Sequence, residues 1–306
     1  MTRAVVLAYH NVGVRCLSTL LAHSIDIPLI LTHRDHPAEK IWFDSVADLA
    51  ARHDIPTLMP DDPNTPEVMA QIAAVRPDFI FSFYYRHMLH PDLLALAPRG
   101  AYNMHGSLLP KYRGRVPVNW AVLQGERETG ATLHEMVAKA DAGRIVAQMR
   151  VPIFPDDTAF EVFNKLAVAA ELTLDGALPG LIAGSALHRA QDLTQGGYFG
   201  GRRPEDGRID WAQSAEAIHN LIRAVAPPYP GAFFDLNGAR LVVARSLRQP
   251  YKNAGAGGSG IYVDEQRFYA DCGDGGVLRL LSLEHQGSTL SPSDFVARFG
   301  SGKIIL

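Results

Sequence analysis

The first hundred residues alternate between short β-branched apolar runs and longer segments with helical spacing, and this alternation restricts the chain to one architectural class. Ala4 to Tyr9 reads as a buried strand, and Val12 to Ala22 (VGVRCLSTLLA) follows it with apolar residues at roughly helical intervals. Ile27 to Thr32 repeats the strand signal. Asp44 to His53 (DSVADLAARH) reads as a helix with Asp44 as its N-cap candidate. Thr65 opens a further helix, TPEVMAQIAAV, with Pro66 at its first position and Glu67 in its first turn. Asp78 to Phe83 (DFIFSF) is again a buried-strand pattern. Repeated strand–helix–strand units require right-handed crossovers and a parallel sheet covered on both faces. The expected fold class is therefore α/β, with a Rossmann-like, mostly parallel sheet. Its first turn, His10-Asn11-Val12-Gly13, lacks the Gly-x-Gly-x-x-Gly fingerprint, so the usual dinucleotide pyrophosphate seat is missing.

The pattern changes after Gln195. Gln195 to Arg208 (QGGYFGGRRPEDGR) is glycine-rich with mixed charge, as expected of a linker. Ser214 to Val225 reads as an amphipathic helix. From Ala232 onward short alternating runs are joined by turn signals such as Asn237-Gly238, which predicts a small antiparallel β-barrel of OB-like type. The expected domains are 1–200, catalytic and Rossmann-like, and 201–306, a helix plus the barrel.

The densest chemistry lies in Ala101 to Pro117 (AYNMHGSLLPKYRGRVP). Asn103 and His105 stand two residues apart at what reads as a strand end, and a period of two puts both on one face. An amide donor and a titratable donor then converge where open α/β sheets place their ligands. Gly106 and Ser107 permit a tight turn directly afterwards. Gly130 to Val137 and Arg144 to Pro152 read as a strand pair, and the loop between them, Ala138 to Gly143, carries Asp141. His134 reads equally as a buried support for the site and as a participant, and stays outside the catalytic set. Asp157 reads as the cap of a long helix from Thr158 to about Leu174, extending toward Ile182.

Taken in order, Asn103, His105, the turn Ser107 to Pro110, Arg115, Thr132, His134 and Asp141-Ala142-Gly143 resemble the folate-dependent formyltransferases. The resemblance implies transfer of a formyl group from 10-formyltetrahydrofolate to an amine by Asn103, His105 and Asp141, with folate as co-substrate and no metal. In such a reaction the oxygen of the tetrahedral intermediate needs donors, which Asn103 and a protonated His105 supply; losing one such donor typically costs about 2.7–4 kcal/mol. Asp141 would stabilise the imidazolium. The family pattern places the folate along His87, Met88, Leu89, Arg115 and the loop Val137, Ala138, Lys139, Ala140 and Asp141. Within the family, segments such as LAYHNVG, FSFYYRHML and NMHGSLLPKYRGRVPVNW are most similar to the part of the bifunctional polymyxin-resistance enzyme that formylates UDP-4-amino-4-deoxy-L-arabinose, a lipid A modification activity. Tyr229-Pro230 stands where Trp-Pro is usual. A nucleotide sugar is accordingly the expected acceptor, with Tyr85, Arg202, Arg203 and Tyr229 as its expected contacts.

Charge separates this expectation from its nearest rival, formylation of methionyl-tRNA. The formal net charge is −3, and the segment His33 to Val46 is short and balances its basic residues against acidic ones. Phosphate-backbone binding requires clustered Lys and Arg. No nucleic-acid partner is expected. Two more readings compete: hydrolysis of the formyl folate without an acceptor, and a non-catalytic folate- or nucleotide-binding module. The two cysteines, Cys16 and Cys272, have no ligand-like spacing and read as reduced thiols. With an N-terminal apolar run too short for a signal peptide and no run of roughly 18 apolar residues, a cytoplasmic protein without a membrane partner is expected. Self-association is left open.

Overall fold

The computed structural model describes residues 1–37, 39–250, 254 and 257–306. The chain forms two compact units, one made of residues 1–117, 128–152 and 163–200, the other of 118–127, 153–162 and 201–306. The two short segments 118–127 and 153–162, which sequence order assigns to the first domain, belong with the second unit.

In the first unit, strands β1 (Arg3–Ala8), β2 (Asp26–Leu31), β3 (Thr57–Leu58), β4 (Phe79–Phe83) and β5 (Ala101–His105) alternate with helices α1 (His10–Ala22), α2 (Val46–Arg52), α3 (Pro66–Ala74) and α4 (Pro91–Leu94). After β6 (Arg113–Gly114) and α5 (Pro117–Leu123) come two long strands, β7 (Glu128–Glu135) and β8 (Ile145–Pro152). The sheet order is β3-β2-β1-β4-β5-β7-β8, with parallel pairing through β5 and antiparallel pairing from there on. β1 is buried on both faces, as a central parallel strand must be. Val5 and Leu7 pack with Val68 and Ile72 of α3 and Leu93 of α4, while the alternate residues Ala4, Val6 and Ala8 are fully buried on the other face, where α1 packs.

Helix starts follow side chains that compete for the first backbone N–H groups. Thr65 caps α3 as expected, its hydroxyl accepting from the Val68 N–H at 3.4 Å. The cap of α2 is Ser45 rather than Asp44: Ser45 Oγ accepts from Asp48 N at 3.1 Å. The long helix α6 (Ala159–Ala183) is capped by Thr158 rather than Asp157. Thr158 Oγ1 accepts from Glu161 N at 3.3 Å and Glu161 Oε2 accepts from Thr158 N at 2.8 Å, a reciprocal capping box. Asp157 instead turns back to accept from Phe154 N at 2.6 Å. Against the sequence expectation, α6 is long and apolar enough to cross a membrane by length and composition. Its buried residues Val162, Leu166, Ala170, Leu174 and Leu178 recur every fourth position, the stripe of a helix packed on a core.

The first unit closes with β9 (Tyr198–Phe199), which pairs with β6. In the second unit, helix α7 (Ala215–Val225) is followed by β10 (Ala232–Leu236), β11 (Ala239–Arg248), β12 (Gly260–Asp264), β13 (Arg267–Asp271), β14 (Val277–His285), β15 (Ser288–Thr289), α8 (Pro292–Phe299) and β16 (Ile304–Ile305). The β10–β11 hairpin turns on Asn237 (φ 50°) and Gly238 (φ 78°), the two positive-φ positions of a type I′ turn. The sheet runs β10-β11-β14-β13-β12-β16 and is antiparallel. It ends at β10 on one side and β16 on the other, so among the described residues the expected barrel is an open sheet rather than a closed one. Ile218 and Ile222 of α7 and Phe295 of α8 join Phe234, Leu241, Val243, Phe268 and Leu280 in its core.

Candidate active site

The candidate site forms in the first unit where β5 meets β7. Antiparallel register sets Asn103 opposite His134 and His105 opposite Thr132. Two residues from one strand and two from its neighbour therefore reach the same end of the sheet. His105 is 6% exposed, and its Nε2 lies 2.8 Å from the Tyr112 carbonyl. A carbonyl can only accept, so Nε2 carries a hydrogen and Nδ1 is the nitrogen that titrates. Nδ1 faces Asp141 Oδ1 at 3.5 Å. His134, 1% exposed, donates from Nδ1 to its neighbour's carbonyl, Glu135 O, at 2.8 Å. Its Nε2 then accepts from Asn103 Nδ2 at 3.1 Å and stands 3.5 Å from Asp141 Oδ1. One N–H of the Asn103 amide is thereby fixed, which sets the direction of the other.

Asp141 arrives on the loop between β7 and β8. Its Oδ2 accepts from the Gly114 N–H at 2.8 Å. Gly114 has φ 102°, and a Cβ there would lie 2.2 Å from the Phe199 carbonyl, so the residue that presents this N–H has to be glycine. Burial pushes the Asp141 carboxyl up, but the neighbouring His105 and His134 rings and the Gly114 N–H outweigh it and hold the group well below the usual carboxylate range. His105 moves the other way from an ordinary histidine: burial holds it below 6.5, against the opposing pull of Asp141 and the Tyr112 carbonyl. At neutral pH the pair is a carboxylate beside a neutral imidazole whose Nδ1 is open to a proton.

Behind these groups, Thr132 Oγ1 donates to Ser107 O at 2.6 Å and accepts from Leu109 N at 3.2 Å and Gln148 Nε2 at 2.9 Å. The Ser107 hydroxyl donates to Lys111 O at 2.5 Å. This network pins the turn that brings Tyr112 over His105.

Of the residues singled out in the sequence, Asn103, His105 and Asp141 come together. His87 and Met88 are exposed, Leu89 is buried, and the Met88 carbonyl accepts from Asn64 Nδ2 at 3.0 Å. Arg115 is exposed, and its N–H donates to Phe199 O at 2.9 Å. Val137, Ala138 and Lys139 are exposed and Ala140 half-buried on the loop that carries Asp141. Tyr85 packs into the core beside α3 and α4 and stacks on His33 at 4.2 Å, with its hydroxyl buried. Arg202, Arg203 and Tyr229 lie in the second unit, where the segment around Gly207 runs beside Gly231. Arg202 lies over the Trp120 ring at 5.2 Å and donates from Nη2 to Asp206 O at 2.8 Å, while its Nε and Nη1 are buried with no partner among the described residues. Arg203 is exposed, and burial pushes the Tyr229 hydroxyl up to about 12. Sequence alone leaves His134 between a support and a participant and assigns no role to Gly114. The register across β5 and β7 places the first, and a close backbone approach explains the second.

The formyl transferase pattern matches residues 19–176, and the formyl transferase C-terminal domain pattern matches residues 202–300. In three dimensions the chain is similar to an N-formyltransferase from Helicobacter canadensis in complex with folinic acid and dTDP-3-aminofucose (TM-score 0.74, 20% identity, 92% of this chain and 99% of that one). It is also similar to WlaRD, a sugar 3N-formyl transferase in the presence of dTDP and 5-N-formyl-THF (TM-score 0.73, 19% identity, 94% and 99%). HypX from Aquifex aeolicus in complex with tetrahydrofolic acid is a third (TM-score 0.63 to 0.66 across its variants, 16% identity for the complex), and there the chain spans about half of the longer protein. These likenesses show a shared fold. With both patterns matched in order along its length, the chain belongs to the formyl transferase family.

Proposed function

We propose that this protein transfers a formyl group from 10-formyltetrahydrofolate to the amine of a nucleotide-linked amino sugar, with UDP-4-amino-4-deoxy-L-arabinose as the expected acceptor. The observation that carries the reading is the convergence of Asn103, His105 and Asp141, with Asp141 Oδ1 3.5 Å from His105 Nδ1. The incoming amine attacks the formyl carbon, and the second N–H of the Asn103 amide meets the oxygen as it becomes an anion. His105 Nδ1 takes the proton that the amine must lose and returns one to the folate nitrogen that leaves. Asp141 stabilises the imidazolium in between, so His105 serves as a base from its neutral form. The folate lies along the backbone of His87, Met88 and Leu89, beside Arg115, and along Val137 to Asp141, where irregular backbone offers donors and acceptors not consumed by a ladder.

For the acceptor, Arg202 is the best-supported contact, because a guanidinium held over Trp120 with two nitrogens, Nε and Nη1, that lack partners among the described residues suits a diphosphate. Arg203 and Tyr229 are the further expected contacts, and Tyr85 acts by packing beneath the His87 segment. A dTDP-linked amino sugar is the second reading, favoured by the ligands of the two sugar N-formyltransferases of the same fold. The tRNA reading gains nothing from the segment after β2, since Glu39 there pairs with Arg86 at 2.6 Å and Asp35 accepts from the Tyr9 hydroxyl at 2.6 Å. The test is incubation with 10-formyltetrahydrofolate and each of the UDP-linked sugar, a dTDP-linked amino sugar and methionyl-tRNA, following formylated product by mass. Product with a nucleotide sugar supports the reading. Product with methionyl-tRNA alone, or with none of the three, rejects it.

A further inference from the structure

Gln191 lies on the chain that returns from α6. Its Nε2 donates to the Asp141 carbonyl at 2.9 Å and to the Gly143 carbonyl at 2.6 Å. An amide with two carbonyl acceptors on one side has a single workable orientation, because turning it over would set Oε1 against two carbonyl oxygens. Oε1 is consequently buried with no hydrogen-bond partner among the described residues. A buried acceptor is left unpaired so that two donors stay on one loop, which is not what packing alone would select. The loop needs the restraint: Asp141 has φ 51°, a left-handed conformation that a non-glycine residue keeps only where its surroundings over-determine it.

We propose that Gln191 is a positioning residue for formyl transfer: it clamps the backbone of Asp141 and Gly143 so that the carboxylate stays facing His105 Nδ1. The inference rests on the reading of Asp141 as the partner of His105. Two independent ties hold the aspartate in place, the Gly114 N–H on its carboxylate and Gln191 on its backbone. Gln191 acts wholly through Asp141, so removing its donors loosens the carboxylate without touching the reacting atoms.

The informative variants are Gln191→Met, which keeps length and volume but removes both donors, and Gln191→Glu, which turns the donors into oxygens facing two carbonyls. Each is compared with Asp141→Asn and with the corresponding double variant. The first readout needs no acceptor: the ring titration of His105 followed by NMR, with thermal unfolding alongside. Asp141→Asn lowers the His105 midpoint, Gln191→Met lowers it in the same direction by less, and the double variant matches Asp141→Asn. In turnover, Gln191→Met lowers kcat by about 10- to 100-fold with the folate KM within about threefold, as expected for a displacement near 1 Å. In the Asp141→Asn background the same change costs less than about threefold, since both act through one carboxylate. A Gln191→Met protein with wild-type His105 titration and unchanged kcat overturns the inference. So does a loss equally large in the Asp141→Asn background. Should the Met variant not fold, the Glu variant carries the same comparison. If Asp141→Asn alone leaves both titration and turnover unchanged, the reading of Asp141 fails and the inference falls with it, and that variant identifies the cause.

Discussion

Gly143→Ala is the substitution whose effect follows most directly from the structure. A Cβ on Gly143 would lie 1.9 Å from the Glu135 carbonyl oxygen and 2.7 Å from its carbon, where ordinary contact begins at 3.4 Å. The shortfall against that oxygen is 3.4 − 1.9, or 1.5 Å. Glu135 cannot retreat, because it ends β7 and its N–H is held by Arg144 O at 2.9 Å. The loop must move instead, and Asp141 moves with it. If the whole displacement falls on the 3.5 Å contact between Asp141 and His105, the separation becomes about 5 Å. At an effective dielectric constant of about 20, the Coulomb attraction for the imidazolium falls by about 1.4 kcal/mol, a factor of about ten. Misplacement of a reacting group by about 1 Å can cost up to about 100-fold. The expected result is kcat lowered by about 10- to 100-fold, an overpacking cost of about 1–3 kcal/mol in stability, and a lower His105 midpoint. Steady-state formyl transfer, thermal unfolding and NMR titration measure the three. A Gly143→Ala protein with wild-type turnover and an unmoved His105 midpoint would refute the claim that this loop sets the carboxylate.

Three further outcomes are expected. His134→Phe removes the acceptor that orients Asn103 and the donor to Glu135 O, so kcat falls toward that of Asn103→Ala, while stability drops by about 1–3 kcal/mol for two lost hydrogen bonds; a fall in melting temperature with unchanged kcat would reduce His134 to packing. Stability falls as pH drops below about 6.5, because burial holds His10 down to about 3 and His33 down to about 4, so the unfolded chain binds protons that the folded one refuses. The slope is about 1.4 kcal/mol per pH unit for a fully neutral histidine, less for half-exposed His33, and denaturation curves that are flat between pH 6.5 and 4.5 would contradict it. Arg202→Ala raises the acceptor KM by about tenfold and leaves the folate KM unchanged, whereas equal changes in both would remove Arg202 from the acceptor site.

The sheet and the chemistry are legible in the sequence to different depths. Strands such as Ala4 to Tyr9 and Asp78 to Phe83 announce themselves because a central parallel strand is apolar on both faces, and Asn103 and His105 share a side because the strand period is two. Cap choice is not legible where two capping residues stand adjacent: Ser45 and Thr158 win over Asp44 and Asp157 through local geometry. Nor is the openness of the C-terminal sheet, since turn signals specify hairpins and not closure. The partners of the site are long-range. His134 meets Asn103 through strand register, and Gln191 reaches Asp141 from beyond α6, across separations that periodicity does not encode.

The central claim is that Asn103, His105 and Asp141 act together on a formyl group. The direct measurement is single-turnover transfer from 10-formyltetrahydrofolate to the preferred amino sugar by wild-type protein and by purified, folded Asn103→Ala and Asp141→Asn. Transfer by the wild type with a loss of at least about 100-fold in each variant is the predicted result. Near-normal transfer by either variant would contradict it.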